Sequence, residues 1–478
     1  MRRLPSPRFW LFWAQWGAIV GAAFVAAGCA SLSREDSLAF VRDSTRQAAG
    51  KEVRWVHGAD DQARVDERVA ELLAKPLGVE EAVQVALLNN KGLQASFEEI
   101  GLARADLMQS QRLPNPGFSM LRTSHGGEFK IEQIVTFNVL SLVTVPIAAR
   151  VEQRRFESVQ RQVAMEVLRL AYDTRKAYFI AVAAQETARY TAQVMAAAEA
   201  SAELARRMAR VGNWSKLEQA REQGFYADAA LQLARAKQSA TSARERLTRL
   251  LGVWGQQIEF RLPEHLASLP AAADELPNVE ALAMERRLDL QAIRLEAEAG
   301  ARNLGLTQAT RFINVLELGP ARTLEGARSQ PYLHGFEVSF ELPLFDFGSA
   351  RLAKAESAYM RVVNRAAELA VNARSEVREA YQGYRSAYDI ARHYRDEIVP
   401  LRKRVSDENL LRYNGMLISV FDLLADARSQ VSAVNASIEA SRDFWLARAD
   451  LDMALIGRPT PSGLARPSSA PSEGPAAH

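Results

Sequence analysis

The feature that most constrains this fold is a seven-residue repeat of small and apolar residues that occurs twice in the chain. In the second half, the repeat continues over 359–405 in alternating steps of four and three residues. Subtracting 203 from each position gives a series over 156–202 in which eleven of fourteen residues are apolar. So long a heptad repeat predicts supercoiled helices. Its two copies indicate an internal duplication, with halves near 77–252 and 277–457.

The placement of proline supports the same long helices. No proline occurs in 147–262, 344–399 or 401–458, and proline is strongly disfavoured inside helices. The first long helix is predicted over 148–211 and would be about 96 Å long at 1.5 Å per residue. Pro400 lies inside the fifth long segment of the chain and should kink or split that helix. A simple antiparallel coiled-coil rod has the same periodicity and remains an alternative.

Two segments between the helices alternate apolar and polar residues, which predicts strands with one apolar face. The first lies at about 116–142 and contains the turn-forming sequence HGG at 125–127. The second lies at about 311–343. Strands of about ten residues with an apolar outer face are typical of bilayer-spanning barrels. A small soluble sheet with one buried face is the alternative. The apolar positions are Phe129, Ile131, Val135, Phe137 and Val139 in the first segment and Phe336, Val338, Phe340 and Leu342 in the second.

Four strands are too few to close a membrane barrel. The smallest closed barrels have about eight strands, and an open sheet edge is not tolerated in lipid. If these strands are in a membrane, several chains must therefore each contribute four strands to one barrel.

The single cysteine, Cys29, follows a segment typical of secretory signals. A basic start precedes an apolar run over 9–27, so residues 1–28 are predicted to be a signal peptide. The residues Ala26, Ala27 and Gly28 before Cys29 resemble the lipobox of bacterial lipoproteins. This resemblance implies that Cys29 is acylated and becomes the first residue of the mature chain. An uncleaved membrane anchor with an incidental cysteine is the alternative.

Composition sets further limits on the chain. Residues 29–76 form a leader segment, and the Pro/Ser/Ala-rich tail over 458–478 should be disordered. A net charge of +3 gives no indication of a nucleic-acid surface. The six histidines include no pair at helical ligand spacing, so no metal site is predicted. No nucleophile elbow, phosphate loop or dinucleotide motif is present, so we predict neither an enzyme nor a cofactor other than the covalent lipid.

Four segments in order resemble the TolC-type outer-membrane efflux family, in its lipoprotein branch. They are the opening helix at 76–95, the helix-to-strand exit at 112–119, the strand-to-helix junction at 342–357, and the approach to the second turn at 397–430. The resemblance implies a mainly α fold with a small β part, built from two repeats at 77–262 and 277–457. Duplicated helical hairpins would form a periplasmic helical barrel, and four strands per chain would join a trimeric twelve-stranded transmembrane β-barrel.

The resemblance also implies a function and partners. A homotrimer in the outer membrane would carry exported compounds from an inner-membrane pump and a periplasmic adaptor, or membrane fusion protein, to the exterior. Outer-membrane lipid would surround the barrel, and nucleic acid would not be a partner. The alternative is a periplasmic coiled-coil adaptor or scaffolding lipoprotein, for which one helical hairpin beside a compact β-domain is expected.

Two turns between long helices, at 210–216 and 412–419, are predicted to form the tip that docks the adaptor. Gly212 and Gly415 occupy equivalent places in the two halves, where positive φ is expected. Their neighbours Asn213 and Met416 are the predicted contact residues. The alternative is that these glycines only cap helices.

Two aspartates beyond the second turn are candidates for a periplasmic gate. Asp422 and Asp426 are four residues apart, so one helix face can present both. The family resemblance implies a ring of such carboxylates around the three-fold axis, which would favour cations. Pairing of these aspartates with Arg412 or Arg428, as ordinary surface charges, is the alternative.

Overall fold

The helices and strands occur in the same order in both halves of the chain. A computed structural model describes residues 34–126, 128–312, 315–326 and 330–459. Two leader helices come first, α1 (Arg34–Ala49) and α2 (Gly58–Leu73). The first repeat contains α3 (Val79–Asn89), α4 (Lys91–Ser110), β1 (Gly117–His125), β2 (Glu128–Asn138), α5 (Ser141–Arg210) and α6 (Lys216–Leu251). The second repeat contains α7 (Val279–Arg286), α8 (Leu288–Ala309), β3 (Leu316–Gly326), β4 (Leu333–Phe340), α9 (Ser349–His393), α10 (Val399–Asn414) and α11 (Val420–Ala454).

This order confirms a mainly helical, duplicated fold with a small sheet. Each repeat has two short helices, two strands, a long helix and a returning helix. The described chain therefore has two helical hairpins, whereas the adaptor alternative expects one. Among the described residues, no helix combines the length and the apolar character that a membrane crossing requires.

The longest helix, α5, begins seven residues before the predicted start. Its 70 residues correspond to about 105 Å at 1.5 Å per residue. The side chain of Asn138 accepts a hydrogen bond from the Ser141 amide at 3.1 Å, which satisfies a donor of the first turn. Pro146 lies in the second turn of α5, where its missing amide hydrogen costs the helix a single backbone hydrogen bond. Four of the six heptad alanines of α5 are buried, which are Ala177, Ala181, Ala198 and Ala202, and the other two are partly buried.

The predicted break near Pro400 is present. The segment Tyr394–Ile398 between α9 and α10 is a single π-helical turn, and the Val399 amide donates to the Tyr394 carbonyl five residues back. Proline has no amide hydrogen to continue the α-helical ladder. A π turn is a common way to accommodate such a local disruption.

The bend between the two short helices of each repeat is hydrogen-bonded to the C-terminal end of the returning helix. In the first repeat, Asn90 donates to the Leu250 carbonyl at 3.0 Å, and Asn89 donates to that of Gly252 at 2.7 Å. In the second repeat the equivalent residue is Arg287. Its fully buried guanidinium pairs with Asp289 at 2.7 Å and with Glu376 at 2.8 Å and donates to the Ala454 carbonyl at 3.5 Å. Each bend thus fixes the base of a helical hairpin.

Candidate membrane sheet and helical tip

The four strands form one antiparallel sheet in the order β1-β2-β3-β4. Directly opposed residues on neighbouring strands lie on the same face. One row pairs Phe137 with Leu318 and Leu318 with Val338, and Phe118 lies opposite Val135. The predicted apolar residues that lie within the strands therefore share one face, while Val139 and Leu342 lie just beyond β2 and β4. Toward the turn between β1 and β2, the same face also carries polar residues, among them Arg122, Gln133, Arg322 and His334.

This apolar face is exposed to its surroundings. Phe336 is 78% exposed and Phe118 is 68% exposed. In a small soluble sheet these side chains would be covered by a core. The exposure disfavours the soluble-sheet alternative and fits a face that contacts hydrocarbon.

The opposite face of the sheet is largely polar. Glu317 lies opposite Ser339, and Lys130 lies opposite Glu325. Lys130 also forms an ion pair with Glu132 on its own strand. The sheet thus has one lipid-compatible face and one face suited to water.

The two outer strands leave hydrogen-bonding edges open. β1 and β4 are first and last in the sheet, so among the described residues each has a neighbouring strand on one side only. The interior ladder is interrupted once, opposite Gly319 and Pro320. Pro320 has no amide to donate, and a Cβ on Gly319 would collide with the Val135 carbonyl.

Large apolar side chains also surround the junction between the sheet and the long helices. Phe345 is fully exposed, and Leu344 and Phe347 beside it are exposed as well. Leu142 and Val143 at the start of α5 are similarly exposed. Aromatic residues are enriched where a membrane barrel meets the interface.

At the other end of α5, the first turn closes with a Schellman motif. The Asn213 amide donates to the Met208 carbonyl at 3.0 Å, and the Gly212 amide donates to that of Ala209 at 3.2 Å. Gly212 has φ +80°, a conformation that glycine adopts without steric cost. The prediction of positive φ at Gly212 is confirmed.

The same prediction is wrong for Gly415. Gly415 has φ −80°, whereas its neighbour Met416 has φ +61°. The second turn has the same hydrogen bonds, from Leu417 to Arg412 at 2.8 Å and from Met416 to Tyr413 at 2.9 Å. The reason is that the second half is longer by one residue here, so Met416 stands 204 residues after Gly212. The side chain of Met416 is 93% exposed.

Both returning helices begin with a reciprocal capping box. Ser215 and Glu218 form it in α6, and Ser419 and Asp422 form it in α11. Asp422 Oδ2 accepts from the Ser419 amide at 3.1 Å and from its hydroxyl at 2.7 Å. In the described chain, Asp422 therefore caps its own helix.

Asp426 lies one turn further along α11. Its Oδ2 atom is buried and has no hydrogen-bond partner among the described residues. Arg412 pairs with Glu408 at 3.1 Å, and Arg428 pairs with Glu222 at 2.9 Å. Within the described ranges, neither arginine pairs with Asp422 or Asp426, so the geometry does not support the surface-charge alternative.

A cluster that the sequence analysis missed joins the two hairpins near the tip. Glu222 of α6 is 2% exposed; it accepts from Ser201 at 2.8 Å and from Arg428 of α11 at 2.9 Å. The Arg428 guanidinium also lies 4.2 Å from the centre of the Phe225 ring. Glu222 stands seven residues before the buried Ala229 and could have been found as a charge within an apolar heptad series.

The two repeats differ at this cluster. Aligned by their N-caps, Glu222 corresponds to Asp426, and Arg428 corresponds to Gly224, each pair 204 residues apart. Glu222 pairs with a cation from the other hairpin, Arg428, while Asp426 has no such cation among the described residues. The joint between the two hairpins of one chain is thus closed by an ion pair that the duplication does not repeat.

Cys29 and the signal peptide at 1–28 lie outside the described residues, as does most of the tail at 458–478. Their lipidation, cleavage and disorder stay predictions.

Comparison with known proteins identifies the fold. No protein-family model matches the chain. The chain is similar to the cobalt-zinc-cadmium resistance protein CzcC of Cupriavidus metallidurans, with 25% identity over 292 residues covering 59% of this chain and 66% of CzcC. The match therefore spans slightly less than two thirds of that relative.

Solved structures match a larger share of the chain. The outer membrane channel CmeC of Campylobacter jejuni has 16% identity and a TM-score of 0.67, covering 84% of this chain and 89% of CmeC. A membrane protein of Pseudomonas aeruginosa has 19% identity and a TM-score of 0.69, covering 80% and 90%. The predicted resemblance in fold is thus confirmed, and this chain has the fold of outer-membrane channels such as CmeC.

Proposed function

We propose that this chain is the outer-membrane channel of a tripartite efflux or export system. The observation that carries the proposal is the exposed apolar face of the sheet, including Phe118 and Phe336, at one end of helices about 105 Å long. Such a face is stable in hydrocarbon, and helices of this length extend far beyond a bilayer about 30 Å thick.

The functional unit is a homotrimer. The open edges of β1 and β4 require partners in lipid, and three copies of four strands give a closed barrel of twelve. The alanine-rich faces of the long helices are suited to close packing between chains. The twelve strands continue into a tube of packed helices that crosses the periplasm.

The helical tip docks a periplasmic adaptor, which links the channel to an inner-membrane pump. The turns expose apolar side chains, among them Val211, Leu217, Met416 and Leu417. Their docking role, and that of Gly212, Asn213 and Gly415, is a proposal. We propose that Asp422 and Asp426 lie near the mouth of the tube in the trimer, where their carboxylates favour cations.

A lipid on Cys29 anchors the leader in the outer membrane beside the barrel. One acyl chain gives marginal membrane binding, and two or more anchor stably. Loss of the lipid in Cys29→Ser should weaken localisation more than it weakens folding of the channel.

Extraction of the protein from outer membranes tests the proposal. The full chain should migrate on a gel as a trimer that heat converts to monomer. Removal of 116–142 should abolish this trimer, because it removes β1 and β2. A monomer in the parent, or an unchanged trimer after the deletion, would contradict the proposal.

A further inference from the structure

A hollow of about 800 Å³ lies between the leader helices and the first repeat. Its walls come from α1, the linking segment 50–57, α2 and α3. It is distant in sequence from the sheet and from both tip turns. Two carboxylates, Glu52 and Asp61, line it against five arginines, which are Arg42, Arg46, Arg54, Arg64 and Arg68. The lining therefore carries an excess of positive charge.

The linking segment is held rigidly by two glutamine side chains. Gln84 accepts from the Glu52 amide at 3.2 Å and donates to its carbonyl at 2.9 Å. Gln94 accepts from the Val56 amide and donates to the Arg54 carbonyl, both at 2.9 Å. A wall fixed in this way loses little conformational freedom when a ligand binds.

Several cationic or polar groups of the hollow lack a partner. Within the described ranges, the guanidinium groups of the partly buried Arg42 and the exposed Arg54 have no ion pair or hydrogen bond with protein, and the buried Nε2 atom of His57 has no hydrogen bond. Arg46 has a loose pair with Glu52 at 3.9 Å. Buried polar atoms are nearly always satisfied in native proteins, so the orphaned His57 atom indicates a missing partner, whereas water reaches the two arginines.

We propose that this hollow is a binding site for a small molecule with several anionic oxygens. Guanidinium groups bind phosphate and carboxylate groups through two parallel hydrogen bonds, and Arg42 and Arg54 are free to do so. The volume is in the range of small-molecule sites and exceeds the need of a single inorganic anion. Bound anion joins α1, the linking segment and α2, and so stabilises docking of the leader on the first repeat.

Isothermal titration of the full chain purified in detergent tests this site. Pyrophosphate and citrate are the two probes, and sodium chloride at matched ionic strength is the reference. Saturable binding of either probe is expected, and the preferred probe distinguishes a phosphate from a carboxylate source. The double variant Arg42→Gln/Arg54→Gln should bind at least tenfold more weakly, because the two free guanidinium groups are gone.

The matched control is Arg402→Gln/Arg404→Gln, which removes two exposed arginines of α10 far along the sequence from the hollow. It should bind as the parent does. Equal weakening in both double variants, or no saturable binding of either probe to the parent, overturns the proposal. If a second copy of the chain fills the hollow instead, the parent shows no saturable binding of either probe. Failure here leaves trimer migration unchanged, so it is distinct from failure of the channel proposal.

Discussion

The ion pair between Glu222 and Arg428 should hold the two hairpins together near the tip. The change Arg428→Met keeps apolar contact with Phe225 and leaves the Glu222 carboxylate, 2% exposed, without its cation. Removing one partner of a buried ion pair costs about 3–5 kcal/mol. We expect about 2 kcal/mol, because Arg428 is 39% exposed and Ser201 still donates to Glu222.

Hydrogen exchange measures this loss as local opening of α6 and α11. A change of about 2 kcal/mol corresponds to roughly 30-fold faster exchange in peptides around 216–230 and 420–435. The control Arg412→Met removes an exposed pair with Glu408 and should change exchange less than about fivefold.

A double variant separates an ion-pair effect from a packing effect. Glu222→Leu combined with Arg428→Met should recover most of the protection, because apolar replacement of a buried pair is often neutral. Exchange in Arg428→Met within about threefold of the parent would refute the assignment of this pair as the joint between the hairpins.

Three further predictions concern the second turn, a buried carboxyl and the sheet. Met416→Gly should stabilise the turn by about 1 kcal/mol, since left-handed backbone disfavours a side chain, and slow local exchange roughly fivefold; faster exchange would contradict this. Burial raises the pKa of Asp452 above its ordinary 3.8, so the folded protein holds this proton to a higher pH than the unfolded chain does. The free energy of unfolding therefore falls as pH rises from 3.8 through the raised pKa. The Tm of Asp452→Asn relative to that of the parent should therefore increase over the same pH range, because asparagine does not ionise. A Tm difference that stays constant with pH would contradict the raised pKa. Phe336→Arg should cost about 2–4 kcal/mol in a barrel and reduce the heat-modifiable trimer, while Glu337→Arg on the opposite face should not.

Local periodicity predicts much of this fold. The heptad repeat over 156–202 lies within one continuous helix, so the sequence alone predicts α5. The alternation from Phe129 to Phe137 likewise predicts β2 and its apolar face. The sequence does not predict the helix start at Ser141, because Pro146 favours a later start, whereas in the second turn this proline removes a single backbone hydrogen bond.

Features that depend on how separate elements align with one another are harder to predict from the sequence. An offset of 203 fits the long helices, but the turns follow an offset of 204, which moves the left-handed residue from Gly415 to Met416. The pairing of Glu222 with Arg428 requires knowledge of which faces of α6 and α11 meet. A buried arginine such as Arg287 has no periodic signal, because its partners come from three separate segments.

Cross-linking between sheet edges tests the central claim, that three chains close one barrel. In a Cys29→Ser chain, Ser119→Cys on β1 is combined with single cysteines at each position over 333–340 on β4. A thiol cross-linker applied to the share of this chain that reaches outer membranes should give dimers and trimers at some of these positions and nothing larger. A ladder that continues beyond three chains, or monomer at every position, would contradict the closed trimeric barrel.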